Sequence, residues 1–120
     1  AQTTQPGEHG STFGSGPMAC AAVQATLDAI QSERLLHSAQ AIAADIRSRS
    51  LTGVRSVRGE GCLLGLALDR PARPVVRALL SHGILAGSAN DPSCLRLCPP
   101  AIMPTEGIDA LQTAMHAVCG

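Results

Sequence analysis

A chain of 120 residues is long enough for one domain with a modest hydrophobic core. Its hydrophobic content of 45% argues against simple disorder. Nine basic residues balance nine acidic ones, so the chain has no broad positive electrostatic field. Because the chain has one aromatic residue and only short apolar runs, its composition argues against nucleic acid and membranes as partners. All nine basic residues are arginines, and the chain contains no lysine.

The N-terminal segment is rich in glycine. Residues 7–17 read GEHGSTFGSGP, with adjacent hydroxyls at Ser11 and Thr12 and with Pro17 at the first position of a predicted helix. Free amide groups and the helix dipole favour an anion at such a place, so the sequence predicts phosphate contacts from Ser11 and Thr12. The alternative is that the two hydroxyls only cap turns. For His9 we expect a structural hydrogen bond rather than catalysis, because no second residue is placed to orient it.

Two helices are predicted after this segment. The first runs from Pro17 to about Gln31, and the second from Glu33 to about Ser50 with Ser32 as its N-cap. Apolar residues recur at helical spacing in both helices, at 23, 27 and 30 in the first and at 35, 39, 42 and 46 in the second.

The pattern then changes to that of a small sheet. Strands are predicted at 54–58, 62–68, 84–86 and 94–98, and the apolar run of the second is typical of a strand buried on both faces. A helix at 74–82 ended by Gly83, and a last helix capped by Thr105, complete the pattern. The sequence therefore predicts an α+β fold in which helices pack on a small, mostly antiparallel sheet.

Five cysteines lie at positions 20, 62, 94, 98 and 119. Five thiols cannot all pair within one chain, and their neighbours are apolar, so we expect free, buried thiols in a reducing, cytoplasmic compartment. Cys94 and Cys98 are too far apart along a strand for the usual pair of zinc ligands, and no second pair supports them. No metal site is therefore expected.

Arg96 is the arginine most suggestive of ligand binding. On a strand it lies on the face opposite Leu95 and Leu97, between Cys94 and Cys98. In such an apolar setting a guanidinium requires an anionic partner, and its planar fork matches a carboxylate. We predict carboxylate binding over a surface ion pair, whereas the role expected for Arg58 is structural.

Three separated motifs resemble, in order, the small C-terminal domain of class III pyridoxal-phosphate-dependent aminotransferases, and of acetylornithine aminotransferases in particular. They are the glycine-rich segment 7–13, VRGEGCLLG at 57–65 and LRLCPP at 95–100, and together they span nearly the whole chain. One position departs from the family pattern: Gly16 stands where an asparagine is usual, which predicts a more mobile loop and weaker cofactor binding.

The resemblance implies a division of labour within a longer enzyme. Residues 1–16 would form the cofactor-phosphate loop, and residues 17–120 the small domain. Ser11 and Thr12 would contact the pyridoxal phosphate of the partner subunit in a homodimer, and Arg96 would bind the substrate α-carboxylate. No catalytic residue is expected in the chain, because the Schiff-base lysine would belong to a large domain preceding Ala1.

The activity implied is transamination from N-acetylornithine to 2-oxoglutarate, in arginine biosynthesis, with the isolated chain inactive. One alternative is another class III enzyme acting on ornithine, succinylornithine or a different ω-amine. The other is a non-catalytic binding or assembly module derived from the small domain, which would self-associate or bind a partner through exposed apolar surface.

Overall fold

The computed structural model describes residues 7–8, 10–14 and 16–120, so His9 lies outside the described residues. The elements are α1 (Pro17–Ser32), α2 (Leu35–Ser48), β1 (Val54–Glu60), β2 (Leu63–Leu68), α3 (Ala72–Ser81), β3 (Gly87–Ser88), β4 (Cys94–Leu97) and α4 (Thr105–Cys119). The strands form an antiparallel sheet in the order β1-β2-β4-β3. This confirms the predicted α+β fold, although β3 begins three residues later than expected.

The chain divides into two compact units, Ala1–Arg34 and Leu35–Gly120. The first contains the glycine-rich segment and α1, and the second contains the sheet with α2, α3 and α4. The predicted boundary after residue 16, between a cofactor-phosphate loop and the small domain, is a functional division that differs from these units. It stays a prediction.

In the first unit, α1 begins at Pro17 as expected, directly after an extended Gly16. None of its residues is buried, and Met18 is 87% exposed. The apolar face predicted for this helix is therefore present in the sequence but does not form a buried core in this structure.

Both side-chain caps predicted from the sequence are wrong. Ser32 is the last residue of α1, where its hydroxyl donates to the Asp28 carbonyl oxygen one turn earlier. That intrahelical bond competes with capping, as it often does for serine. Thr105 lies within α4, because Pro104 occupies the N-cap position in an extended conformation and no side-chain cap bond forms there.

The core of the second unit lies between one face of the sheet and the three helices. Buried leucines alternate along β2 at 64, 66 and 68, and Leu95 and Leu97 of β4 continue the same layer. The other β2 residues, at 63, 65 and 67, are exposed or half-buried. The prediction that this strand is buried on both faces is therefore wrong, since α2, α3 and α4 form a core with one face of the sheet only.

A tight hairpin connects β1 to β2. Glu60 pairs with Leu63, which leaves Gly61 and Cys62 as a two-residue turn. Gly61 has φ 51° and Gly59, within β1, has φ 105°. Two of the three glycines of the second motif thus adopt backbone conformations that other residues rarely adopt.

All five cysteines are free. Cys94 and Cys119 are buried and Cys62 is half-buried, but Cys20 and Cys98 are exposed, so the expectation of five buried thiols is wrong for these two. Burial raises the pKa of the Cys119 thiol, which keeps it protonated. In the part of the chain described, no cluster of three or more His, Cys, Asp or Glu could hold a metal, and no helix is long and apolar enough to cross a membrane.

Candidate functional site

Ser11 and Thr12 present their hydroxyls to solvent in the first unit. The Gly14 N–H donates to Ser11 Oγ at 3.0 Å, which closes a local turn and leaves the hydroxyl hydrogen of Ser11 able to donate. The Thr12 side chain makes no hydrogen bond with another described residue. The structure therefore contains the predicted turn and also leaves both hydroxyls able to contact an anion.

The start of α1 adds backbone donors to this segment. The Cys20 N–H donates to the Gly16 carbonyl oxygen at 3.0 Å and closes the first helical turn. Pro17 has no N–H, and no side chain caps the helix, so the amides of Met18 and Ala19 lack a helical acceptor. Such amides, at the positive end of the helix dipole, favour a phosphate.

We expect Gly16→Asn to strengthen the start of α1. The Gly16 backbone, with φ −71° and ψ 155°, suits any L-residue, and a β-carbon there would meet only the Phe13 carbonyl oxygen, at 3.9 Å. An asparagine N-cap adds a side-chain acceptor for the first-turn amides, worth a few tenths of a kcal/mol over glycine. Circular dichroism during thermal unfolding measures the helicity of the Gly16→Asn variant. That helicity should equal or exceed that of the wild type.

Gly14→Asn is a matched control for this substitution, because a β-carbon at Gly14 would lie 2.9 Å from Ser11 Cβ. That variant should lose helicity or stability. A loss in Gly16→Asn of the same size as in Gly14→Asn would show that position 16 requires glycine.

In the second unit, Arg96 belongs to a row of four residues that crosses the outer face of the sheet. Arg58 of β1 pairs with Gly65 of β2, Gly65 pairs with Arg96 of β4, and Arg96 pairs with Gly87 of β3. Residues paired directly across strands point to the same face, so two arginines alternate with two glycines. The sequence alone had given no reason to place Arg58 beside Arg96.

Each arginine in this row lies over the neighbouring glycine. A β-carbon at Gly65 would lie 3.7 Å from Arg58 Cγ, and one at Gly87 would lie 3.2 Å from Arg96 Nη2. Neither glycine has a positive φ, so their bare backbones provide space rather than an unusual turn.

The two guanidinium groups differ in their partners. Arg58 Nη2 donates to Asp91 Oδ2 at 3.1 Å, and the Cys94 sulphur, followed by Asp91, raises the pKa of Arg58. The Ser93 N–H and hydroxyl both donate to Asp91 Oδ1, and with Arg58 they hold the pKa of Asp91 below its ordinary value. The Arg58–Asp91 ion pair thus supports the structural role predicted for Arg58.

Arg96 has no carboxylate partner among the described residues. It is exposed, although Cys94 on the same strand is buried, so the apolar setting predicted for its guanidinium is wrong. Arg96 and Cys98 are both exposed, and the core that α2, α3 and α4 form with the sheet lies on the face of Leu95 and Leu97. A guanidinium that is exposed and has no carboxylate partner among the described residues can bind a carboxylate through two parallel hydrogen bonds.

Gly87 and Asp91 were missed as residues that shape this face. The run Asn90-Asp91-Pro92-Ser93 does indicate a turn, but nothing in it shows that Asp91 reaches Arg58 on another strand. A glycine beside a short strand was the available signal for Gly87. Ser11 and Thr12 belong to the first unit and Arg96 to the second.

Comparison with known proteins places the three motifs in one family. The profile of the family "Aminotransferase class-III" matches residues 1–119. The chain belongs to the class III aminotransferases. It is 38% identical over 112 residues to acetylornithine aminotransferase 1 of Bordetella parapertussis, an alignment that covers 88% of this chain and 28% of that relative.

Solved structures of class III enzymes have the same fold as this chain. Acetylornithine aminotransferase of Elizabethkingia anophelis superposes with a TM-score of 0.77 at 29% identity, covering 96% of this chain and 33% of that one. An ornithine aminotransferase of Toxoplasma gondii, with partial occupancy of PLP at its active site, gives a TM-score of 0.74 at 27% identity, covering 95% and 29%. The chain thus spans about a third or less of the length of these relatives.

Proposed function

We propose that this chain supplies the cofactor-phosphate loop and the substrate-carboxylate anchor of a longer pyridoxal-phosphate-dependent aminotransferase. The observation that carries the proposal is Arg96, whose guanidinium lies exposed on Gly87 without an ion-pair partner among the described residues. It belongs to the LRLCPP motif of a class III chain, and its neighbour Arg58 is already paired with Asp91.

The residues at the start of the chain fit a cofactor phosphate. Two exposed hydroxyls and the unpaired amides of the first turn of α1 are all hydrogen-bond donors, which is the chemistry that a phosphate dianion requires. Ser11 and Thr12 would hold the phosphate of a partner subunit in a homodimer. When bound, pyridoxal phosphate supplies an electron sink for the carbon that bears the transferred amino group.

For the substrates, we propose N-acetylornithine as amino donor and 2-oxoglutarate as acceptor, which is a step of arginine biosynthesis in the cytoplasm. Each substrate carries a carboxylate, and Arg96 would anchor one carboxylate of each in turn while a lysine elsewhere in the longer protein transfers the proton. Ornithine, carried in the name of the Toxoplasma gondii relative, is the second candidate donor. Comparing initial rates with N-acetylornithine, ornithine and succinylornithine at equal concentrations distinguishes them.

Removing both hydroxyls tests the phosphate role. In the longer protein, Ser11→Ala with Thr12→Ala should weaken pyridoxal phosphate binding about a hundredfold or more, since each of the two lost hydrogen bonds to a charged group contributes roughly 1.5–3 kcal/mol. Equilibrium dialysis measures the dissociation constant. Ser15 belongs to the same glycine-rich sequence but is not assigned a phosphate contact, so Ser15→Ala is a control expected to bind as the wild type does. Unchanged affinity in the double variant would contradict the phosphate role.

A further inference from the structure

Gly87 lies next to the Arg96 guanidinium and leaves space for it. It pairs with Arg96 across β3 and β4. A β-carbon built on Gly87 would lie 3.2 Å from Arg96 Nη2, 3.3 Å from Nε and 3.6 Å from Cζ. Three consecutive atoms of the guanidinium therefore lie against the bare backbone at this position.

The backbone conformation of Gly87 does not itself require glycine. Its φ is not in the positive range that Gly53, Gly59 and Gly83 adopt. Glycine also weakens a strand, and β3 has only two residues, so a side chain here would ordinarily favour the sheet. The space that the Arg96 guanidinium occupies is the reason that the structure offers for a glycine.

A comparison with Arg58 shows why the space at Gly87 affects Arg96. Arg58 also lies over a glycine, Gly65, but its guanidinium is held in addition by the Asp91 carboxylate. Arg96 has no such carboxylate among the described residues, so the space left by the missing side chain of Gly87, rather than an ion pair, accommodates its guanidinium.

We propose that Gly87 is a positioning residue for carboxylate binding, because its missing side chain sets the direction in which the Arg96 fork points. This rests on the proposed role of Arg96 as the substrate-carboxylate anchor. A side chain at position 87 displaces the flexible end of Arg96 rather than any backbone atom, so it changes ligand alignment without unfolding the sheet.

The test uses Gly87→Val and Gly87→Ala in the longer protein. We expect the valine variant to raise KM for both the amino donor and 2-oxoglutarate about tenfold, which corresponds to weakening one charge-assisted hydrogen bond. The alanine variant should raise both KM values less, because the guanidinium needs to move only a few tenths of an ångström. In both variants kcat and the thermal unfolding midpoint should stay close to those of the wild type.

Gly83→Ala is the matched control. Gly83 has φ 76°, and no atom lies within 4 Å of its β-carbon position, so alanine there strains the backbone without touching Arg96. It should lower stability and leave KM unchanged. Equal increases in KM for Gly83→Ala and Gly87→Val would overturn the inference, because instability alone would then explain both.

Arg96→Gln separates this inference from the proposed function. If KM responds to Arg96→Gln but to neither Gly87 variant, the positioning role of Gly87 is wrong and the anchor role stands. If Arg96→Gln has no effect on KM, the anchor role itself fails.

The arginine Nε–H signals of the 120-residue chain can be measured without any enzymatic activity. The Arg96 Nε–H signal, identified by its loss in Arg96→Gln, should shift in Gly87→Val while the Arg58 signal does not. An unshifted Arg96 signal would overturn the inference.

Discussion

Arg96→Gln in the longer protein is expected to raise KM for both carboxylate substrates about a hundredfold, with a much smaller change in kcat. Glutamine keeps much of the side chain but removes the charge and the two-donor fork that matches a carboxylate. Two charge-assisted hydrogen bonds, at roughly 1.5–3 kcal/mol each, account for a factor of that size. Steady-state kinetics with the amino donor and 2-oxoglutarate varied separately gives both KM values.

Arg77→Gln is the control for this prediction. Arg77 is an exposed arginine on α3 without an ion pair among the described residues, so its replacement changes the net charge equally without touching the sheet face. It should leave both KM values unchanged. Equal effects at positions 77 and 96 would show that overall charge, rather than a specific anchor, attracts the substrates.

Gly59→Ala is expected to destabilise the second unit by about 3 kcal/mol or more, which is large for a single methyl group. Gly59 has φ 105°, and a β-carbon there would lie 2.1 Å from the Leu63 carbonyl oxygen. Because that atom is backbone in the paired strand, β1 and β2 would have to separate locally to accommodate it. Chemical denaturation followed by circular dichroism measures the free energy of unfolding.

Gly61→Asn tests whether any change in this turn has the same effect. Gly61 has φ 51°, in the left-handed region that asparagine tolerates, and its β-carbon would meet only Ala39 Cβ, at 3.6 Å. This variant should lose far less stability than Gly59→Ala. Similar losses in the two variants would contradict a specific backbone clash at Gly59.

The sequence predicted the helices and strands well where hydrophobic periodicity was strong. The apolar run at 62–68 predicted β2, and the last predicted helix corresponds to α4. Periodicity alone could not show that α2, α3 and α4 form a core with one face of the sheet only. For that reason the exposure of Arg96 and Cys98 was mispredicted.

The sequence patterns also could not predict contacts between distant segments. Arg49 is half-buried and donates to Asp45, Asp109 and Gln112, so it links the end of α2 to α4. The Arg58–Asp91 pair likewise joins segments 33 residues apart. Such partners depend on strand register and helix packing, which local sequence does not fix.

For the glycine-rich segment, the predicted phosphate contacts stay a prediction. Its motif predicted phosphate contacts from Ser11 and Thr12, and the structure leaves both side chains exposed near the start of α1. Gly16, which departs from the family pattern, adopts a backbone conformation open to asparagine. Glycine at this position lacks the side-chain cap that an asparagine could supply, and its backbone conformation does not itself require glycine.

The most direct test of the central proposal is to load the longer protein with pyridoxal phosphate, reduce it with borohydride and map the modified peptide. We expect one pyridoxyl-lysine outside these 120 residues, which contain no lysine, together with transamination activity that is lost when that lysine is replaced. A longer protein that takes up no pyridoxal phosphate, or that transaminates equally well without the modified lysine, would contradict the proposed function.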